Sequence, residues 1–512
     1  MAHMPIKSID ISPMEKRNLY NVLLPLLALL LAGALSASAQ DTASNISAEE
    51  VREQSNPVTL TQAIQIAMAN NNDIKRALLN LKTADQQVRI AWSEVLPDVS
   101  SSATYTRNLE IPVNFVPAQF FDPNAPTDEL VPLQFGTDNN WQGGLSVNQT
   151  LFRGEAIIGI SSSKLYKAAQ AENLRATTQQ IVTQTRLAYY NVLVAEEQLR
   201  LQRETVERLR ENLRENRSRQ EAGLIDEYQV MQVEVQLRNQ EPQLTQARYA
   251  VQQAYRELNI VLGLPVELEL TVQGDLSRFN ILAREVTDSI NSNIKQVDQI
   301  TPYSYEENKQ LVGIATDMRG DIRILDKQED LKQREIKAIQ SRFLPTLSAN
   351  YNLNWSAAQA GSPNFFGTED TRARSQTIAL TFSLPIFQGF ERSSNLQIAK
   401  IEQRDLELQR EQTIRSAKNE IQSAREALNQ AIETAPAREE ALNQAREGYQ
   451  RAQARLENGL GSQLDVIEAE FQLRQAEVNY AQMVYNYLSA KARYDQAIGM
   501  VPFVDESKPE LD

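Results

Sequence analysis

The sequence contains two copies of one pattern, and this internal repeat limits the possible folds more than any single motif does. In the residue numbering, the second halves of the copies match at a constant offset of 236 (459 − 223), and the first halves match at 248 (344 − 96). Matched positions include Gly223-Leu224 with Gly459-Leu460, Gly263 with Gly499, Asp73-Ile74 with Asp321-Ile322, and Leu96-Pro97 with Leu344-Pro345. The difference between the two offsets, 12 (248 − 236), falls between Pro112 and Pro132, which predicts a longer surface loop in copy one.

Each copy has the same order of predicted elements: a helix that ends before a Leu-Pro pair, two strands, a very long helix, a turn containing glycine and a last helix. The predicted segments are a signal peptide (1–39), an N-terminal extension (40–56), repeat 1 (57–274), a connector (275–310), repeat 2 (311–500) and an acidic tail (501–512). Hairpins are expected at about 97–152 and 345–387, long helices at about 154–222 and 390–457, and last helices at about 226–262 and 464–498.

The strand segments alternate between apolar and polar residues. In copy two, one face carries Leu347, Ala349, Tyr351, Leu353 and Trp355 in the first segment, and Ile378, Leu380, Phe382, Leu384 and Ile386 in the second. Copy one repeats this more weakly with Val99, Ala103, Tyr105, Leu109 and Ile111, followed by Trp141, Leu145, Val147 and Leu151. Such strict alternation predicts β-strands with one apolar face.

A lipid environment is favoured for these strands over the half-buried sheet of a soluble β-sandwich, which shows the same alternation. The strands run about ten residues, as tilted membrane strands do. The predicted bilayer-interface aromatics are Tyr105, Trp141, Tyr351, Trp355 and Phe382. Four strands cannot close a barrel, and open sheet edges are not tolerated in hydrocarbon. Several copies must therefore share one barrel, and three copies would give twelve strands.

The long segments carry an apolar repeat that steps alternately by three and four positions. Its members in copy two are Ile414, Ala417, Ile421, Ala424, Leu428, Ala431, Ala435, Leu442, Ala445, Tyr449, Ala452 and Leu456, with Arg438 interrupting. Its members in copy one are Ala188, Val192, Ala195, Leu199, Val206, Leu209 and Leu213, with Gln202 at the position that matches Arg438. This period predicts a coiled coil, and Pro436 predicts a kink or a change of packing.

An export signal is predicted near the N-terminus. Lys16-Arg17 precede an uncharged stretch from Leu19 to Leu35, and Ala37-Ser38-Ala39 supplies the small residues of a cleavage site. A retained membrane helix is the alternative, because the uncharged stretch is almost long enough to span a bilayer.

Composition excludes several kinds of chemistry. The chain has no Cys, and its one His, His3, precedes the export signal. The mature chain therefore has no Cys or His nucleophile, no Ser-His-Asp triad, no thiolate zinc site and no disulfide. The formal net charge of −14 disfavours a nucleic-acid partner, because neutralising phosphates requires a basic surface. We expect no cofactor, no metal and no enzyme activity; a secreted carboxylate-dependent hydrolase is a remote alternative.

The order of elements in both repeats, together with the turn Gly459-x-x-Ser462-x-x-Asp465-Val466-Ile467, resembles the TolC-like outer-membrane efflux protein (outer membrane factor) family. The resemblance covers nearly all of residues 57–500. It implies an α+β membrane protein, a homotrimer whose 12-stranded transmembrane β-barrel, with four strands per protomer, continues into a long α-helical coiled-coil barrel across the periplasm.

The same resemblance implies a function. The chain would be a passive export duct of a tripartite efflux or type I secretion system in the Gram-negative outer membrane. Its partners would be outer-membrane lipid, a periplasmic adaptor (membrane fusion protein) and an inner-membrane pump of RND or ABC type. A periplasmic coiled-coil scaffold or adaptor without a pore is the alternative, although such a protein has no need of lipid-facing aromatic residues.

The resemblance also assigns roles to the helix tips. It makes Gly223, Leu224, Gly459 and Leu460 the periplasmic tips that contact the adaptor, and it makes Asp465 and Glu468 a periplasmic gate. Threefold symmetry would give two rings of carboxylates, which favour cations. A simpler role is open for Asp465, because Ser462-x-x-Asp465 is a capping-box pattern. Glu468 would equally suit a solvated helix face.

Overall fold

The computed structural model describes residues 57–123, 126–128, 130–281, 291, 292, 294, 315, 317–363 and 371–503. The predicted signal peptide and N-terminal extension lie outside the described residues, as do most of the connector and of the acidic tail. None of the described helices combines the length and the apolar character needed to cross a bilayer.

The elements that the two repeats share follow one another in the same order, and repeat 1 has an additional first helix and the additional short strands β2 and β3 among the described residues. Repeat 1 comprises α1 (Leu60–Asn70), α2 (Asn72–Ser93), β1 (Asp98–Arg107), β2 (Val113–Pro117), β3 (Leu130–Gln134), β4 (Asn139–Phe152), α3 (Gly154–Glu221) and α4 (Glu227–Leu262). Repeat 2 comprises α5 (Gly320–Ser341), β5 (Thr346–Gln359), β6 (Arg372–Ser383), α6 (Glu391–Glu457) and α7 (Gln463–Ile498). Helix α3 has 68 residues, which makes it about 100 Å long at 1.5 Å per residue.

The first helical segment of repeat 1 is two helices and not one. Thr59 begins α1 with a capping box that includes the Gln62 side chain. Asn71 ends α1 and begins α2, because its side-chain oxygen accepts hydrogen bonds from the backbone N–H groups of Asp73 (2.8 Å) and Ile74 (3.4 Å). The chain therefore bends where one asparagine side chain replaces the helical hydrogen bonds.

Two further details differ from the sequence-based expectations. The predicted surface loop of copy one contains the antiparallel pair β2–β3. Leu109 and Ile111 lie beyond the end of β1, and Leu384 and Ile386 lie beyond the end of β6, so alternation in the sequence continues past the hydrogen-bonded ladder. Helix α6 continues through Pro436, and the kink or change of packing expected there stays a prediction.

The main sheet is formed by both repeats. Its four strands lie in the order β1-β4-β5-β6, and every neighbouring pair is antiparallel. Strands β4 and β5, from different repeats, pair in the centre, so β1 and β6 are the two edges. The register shifts between Thr150 and Phe152, near the end of β4 that leads into α3.

The long helices pack through the apolar positions that the sequence pattern identifies. In repeat 1, Val206, Leu209 and Leu213 of α3 pack with residues of α4 that include Val233 and Leu237, and all are buried. The polar residue in this row, Gln202, donates a hydrogen bond to the Gln240 side chain at 3.0 Å. In repeat 2, the buried members on α6 are Ala417, Ile421, Leu428, Ala431, Ala435 and Leu442.

The repeat also appears in how each last helix ends. Gly263 ends α4 with φ +72°, and Gly499 ends α7 with φ +76°, a backbone region that favours glycine. A Cβ on Gly263 would lie 2.5 Å from the Asn70 backbone oxygen, and one on Gly499 would lie 2.7 Å from the Met318 carbonyl carbon. Asn70 and Met318 are matched positions of the two copies, at the offset of 248 (318 − 70). Both copies therefore need a glycine for the same close approach.

A charged cluster is buried where the two repeats meet. Arg186 of α3 donates a hydrogen bond to Asp495 Oδ2 of α7 at 2.8 Å, and Lys491 pairs with the other carboxylate oxygen. The side chain of Arg186 is 0% exposed and that of Asp495 is 6% exposed. One carboxylate thus joins α3 to α7 and contacts two cations in the interior.

Candidate functional site

The four-stranded sheet has one apolar face and one polar face. The strand registers place Val99, Val147, Tyr351 and Ile378 side by side in one row of the apolar face. The next residue along each strand belongs to a row of the opposite face, which contains Ser100, Ser146, Asn352 and Thr377. The hydroxyl groups of Ser100 and Ser146 lie 2.7 Å apart, as neighbours on one face should.

All five predicted interface aromatics lie on the apolar face of this sheet. Tyr105 and Trp141 are cross-strand partners whose ring centroids are 5.0 Å apart, and both lie near the loop end of the strands. Trp355 is in the adjacent row, Tyr351 is two rows further, and Phe382 is close to the helix end. Tyr105 and Trp355 are about half exposed, and Phe382 is 65% exposed. Both ends of the apolar face therefore carry aromatic side chains.

The outer faces of the sheet's two edge strands are open in the single chain. All of the residues of β1 and β6 are exposed. Ile378 is 79% exposed and Leu380 is 70% exposed, far more than a side chain in a protein core. Burying such side chains is worth about 1.5–3 kcal/mol each, so this surface requires an apolar environment.

At the far end of the helices, two tight turns join α3 to α4 and α6 to α7. Gly223 has φ +68° and Gly459 has φ +69°. The N–H of Leu224 donates to the Arg219 carbonyl, and that of Leu460 donates to the Arg455 carbonyl, both at 2.8 Å. These bonds end the long helices in Schellman turns.

Each of these turns presents an exposed leucine. Leu224 is 74% exposed and Leu460 is 73% exposed. A Cβ placed on Gly223 or Gly459 would meet no atom within 4 Å. The turns at the tips of the two helix pairs are thus similar, small and apolar.

Asp465 is part of a complete capping box. The backbone N–H of Ser462 donates to Asp465 Oδ2 at 2.9 Å, and the N–H of Asp465 donates to Ser462 Oγ at 3.2 Å. The hydrogen bond from the Ser462 backbone lowers the pKa of Asp465. In repeat 1 the cap is Asp226, whose carboxylate accepts from the N–H of Gln229 at 3.1 Å. Glu468 lies one turn after Asp465 on an exposed part of α7.

Next to the tips, α7 is linked to the helix pair α3–α4 of repeat 1. Glu470 is buried, and its carboxylate accepts from Arg208 Nε of α3 at 3.1 Å. Burial raises the pKa of Glu470, and Arg208 acts in the opposite direction. Gln463 donates to Asn212 Oδ1 of α3 at 2.9 Å. The sequence pattern does not indicate this contact, because a charge on a coiled-coil surface is usually solvated.

Residues 63–264 and 311–500 match the model of the family described as outer membrane efflux protein. The chain belongs to the outer membrane efflux protein family. This membership confirms the resemblance inferred from the repeat and the turn motif. It makes the chain an outer-membrane channel protein of efflux and type I secretion systems, with its helical part in the periplasm.

Known proteins similar to this chain agree with that assignment. The alkaline protease secretion protein AprF of Pseudomonas aeruginosa is 24% identical over 371 residues, which is 72% of this chain and 70% of AprF. The outer membrane protein TolC of Escherichia coli is 22% identical over 465 residues, which is 86% of this chain and 82% of TolC. Both names refer to secretion or to the outer membrane.

Solved structures with this fold are also channels. The Campylobacter jejuni CmeC outer membrane channel has a TM-score of 0.67 at 21% identity, with 87% of this chain and 88% of CmeC covered. The open state of the Neisseria gonorrhoeae MtrE outer membrane channel has a TM-score of 0.66 at 18% identity, with 86% and 89% covered. Members of the family are channel proteins and not enzymes.

Proposed function

We propose that three copies of this chain form one export duct, a 12-stranded transmembrane barrel that continues into a helical barrel. The observation that supports this proposal most strongly is the sheet, which has an exposed apolar face and two open edges, β1 and β6. Open edges and unpaired backbone groups are not stable in hydrocarbon. In a ring of subunits, β1 of one subunit would run antiparallel to β6 of the next. The two edge strands can therefore pair across each subunit boundary, and no edge stays open.

The domain order fits this assembly. Repeats 57–274 and 311–500 each contribute two strands to the barrel and two long helices to the tube. The polar face of the sheet, with Ser146, Asn352 and Thr377, would line the lumen, and the apolar face would contact lipid. The interface aromatics would anchor its two borders.

The helix tips are the proposed contact with a periplasmic adaptor, which connects the duct to an inner-membrane pump of RND or ABC type. Leu224 and Leu460 support this role, because they are exposed leucines on small, rigid turns. Exposed apolar side chains with a fixed backbone lose little entropy on binding. A variant with Leu224→Ser and Leu460→Ser should lose cross-linking to the adaptor while still forming trimers.

Asp465 and Glu468 are the proposed selectivity gate. Capping and gating are compatible for Asp465, because the cap uses Oδ2 and leaves the exposed carboxylate charged. The pKa of Asp465 is lowered, so its charge persists under acidic conditions. Two rings of three carboxylates would exclude anions from the tip.

The assembly is tested by purifying the mature chain from membranes in detergent, measuring the mass of the complex and recording conductance in a planar bilayer. A trimer that forms discrete conducting channels is expected. A monomer that never inserts would refute the proposed duct.

The gate is tested on the same channels with Asp465→Asn combined with Glu468→Gln. The variant should pass chloride more readily, whereas Glu457→Gln near the same tip serves as a control for a general loss of charge. An unchanged cation preference in the double variant would reduce Asp465 to a helix cap.

A further inference from the structure

Three arginines lie together at the loop end of the apolar sheet face. Ala357 is paired with Arg372, and Trp355 is paired with Arg374, so both arginines of β6 point to the same side as the tryptophan. Arg107 is the last residue of β1 and lies one row beyond Tyr105 on that same face. All three arginines are exposed. Positive charge therefore occurs where the apolar alternation would place lipid-facing side chains.

The position of these arginines matches the outer boundary of a membrane. Phe382 lies ten positions (382 − 372) after Arg372 along β6. About 33 Å of strand, tilted by about 40° as in membrane barrels, covers about 25 Å along the membrane normal. That distance is the height of the apolar band on such barrels, so Phe382 lies near the periplasmic border and Arg372 near the outer border.

The surroundings indicate an anionic partner from outside the subunit. Among the described residues, no carboxylate forms an ion pair with Arg107 or Arg374. Arg107 lies on edge strand β1, and the other two arginines lie on edge strand β6. In the proposed trimer these edges meet, which brings Arg107 and Arg374 together at each subunit boundary. Like charges at such a contact repel each other unless an anion binds between them.

We propose that Arg107, Arg372 and Arg374 form a binding site for the phosphate groups of lipopolysaccharide, the phosphorylated glycolipid of the outer leaflet. There would be one site at each of the three subunit boundaries, and this inference rests on the proposed trimer. The planar guanidinium group binds phosphate with paired hydrogen bonds. Trp355 shares a row with Arg374, and Tyr105 shares a row with Arg372. Both aromatic side chains would contact the sugar and the upper acyl chains.

Acidic side chains of a neighbouring subunit are the alternative partner for the three arginines. Residues 108–152 contain Glu110, Asp122, Asp128, Glu129 and Asp138, but no Lys or Arg. Those of them that the structure describes, Glu110, Asp122, Asp128 and Asp138, belong to the loop regions beyond the main sheet. Asp138 already accepts a hydrogen bond from the Gly361 N–H at 2.7 Å. The arginines instead project from the apolar face itself, in line with the aromatic rows, which favours the lipid.

The test is native mass spectrometry of detergent-purified trimers titrated with bisphosphorylated lipid A, dephosphorylated lipid A or inorganic phosphate. Wild type should bind up to three lipid A molecules per trimer, and dephosphorylated lipid A at least tenfold more weakly. The variant R107Q/R372Q/R374Q should lose at least tenfold in affinity. The triple Arg→Lys variant should retain part of it, because the charge remains without the planar fork.

The matched control is R404Q/R415Q/R451Q, which removes three exposed charges from α6 and should bind lipid A like wild type. If the Gln triple variant does not assemble, the single variant Arg374→Gln replaces it, with a smaller loss of affinity expected. Equal lipid A affinity in wild type and arginine variants overturns the inference, as does displacement of lipid A by millimolar inorganic phosphate. A wild-type complex that is not a trimer would instead refute the proposed duct.

Discussion

Replacing Asp495 with Asn should destabilise the helical part of the protein far more than the small change in the side chain suggests. The substitution keeps the shape of the side chain and removes only the charge that Arg186 and Lys491 share. Arg186 donates to Asp495 at 2.8 Å in a site where its own side chain is 0% exposed. The variant would bury Arg186 and Lys491 without the carboxylate that both of them contact where α3 meets α7.

The magnitude follows from the burial of the cluster. Removing one partner of a buried ion pair costs about 3–5 kcal/mol, because the remaining charge has lost its water and its partner. By comparison, Arg451 and Glu447 form an exposed pair on α6 with side chains 74% and 60% exposed. Removing that pair with Arg451→Gln should cost no more than about 1 kcal/mol.

The free energy of unfolding of both variants is measured in the same detergent, by urea unfolding followed through the circular dichroism of the helices. The other repeat supplies the second substitution: at the offset of 236, Asn259 matches Asp495 and Gln422 matches Arg186. Arg186→Gln should therefore recover at least about 1 kcal/mol in the Asp495→Asn background. A loss for Asp495→Asn as small as that for Arg451→Gln would refute the buried-charge reasoning.

Three further changes test separate features. Gly263→Ala should cost about 2 kcal/mol more than Gly223→Ala in thermal unfolding: both sites have positive φ, but only the first Cβ would meet Asn70, at 2.5 Å, and equal losses would contradict this packing. The buried carboxyl of Glu470 has a raised pKa, so its contribution to the stability of the fold falls as pH rises above 4.5. Glu470→Gln should make the urea midpoint of unfolding depend less on pH in that range. An unchanged pH dependence of the midpoint would contradict this role of Glu470. Ser462→Ala should cost about 1 kcal/mol and speed hydrogen exchange in the first turn of α7, and unchanged exchange there would count against the cap.

Some sequence signals identified the element but not its ends or its interruptions. Alternation ran from Ile378 to Ile386, whereas β6 ends at Ser383, because alternation reports which way side chains point and not where strand pairing stops. The loop between β1 and β4 contains its own short hairpin, whose strands of five residues give too little pattern to detect. Asn71 interrupts a continuous helical periodicity through a local side-chain cap.

The sequence by itself determined the duplication, the apolar row of the long helices and the two-faced strands. These follow from the heptad-like period of the helices and the strict alternation of the strands, which a chain must satisfy to bury one face of each element. Only the tertiary structure decided which strands pair and which charges meet. The pairing of β4 with β5, the contact of Arg186 with Asp495 and the row shared by Trp355 and Arg374 join distant segments or depend on strand register. Local periodicity carries no information about such contacts, because they depend on how separate elements pack against each other.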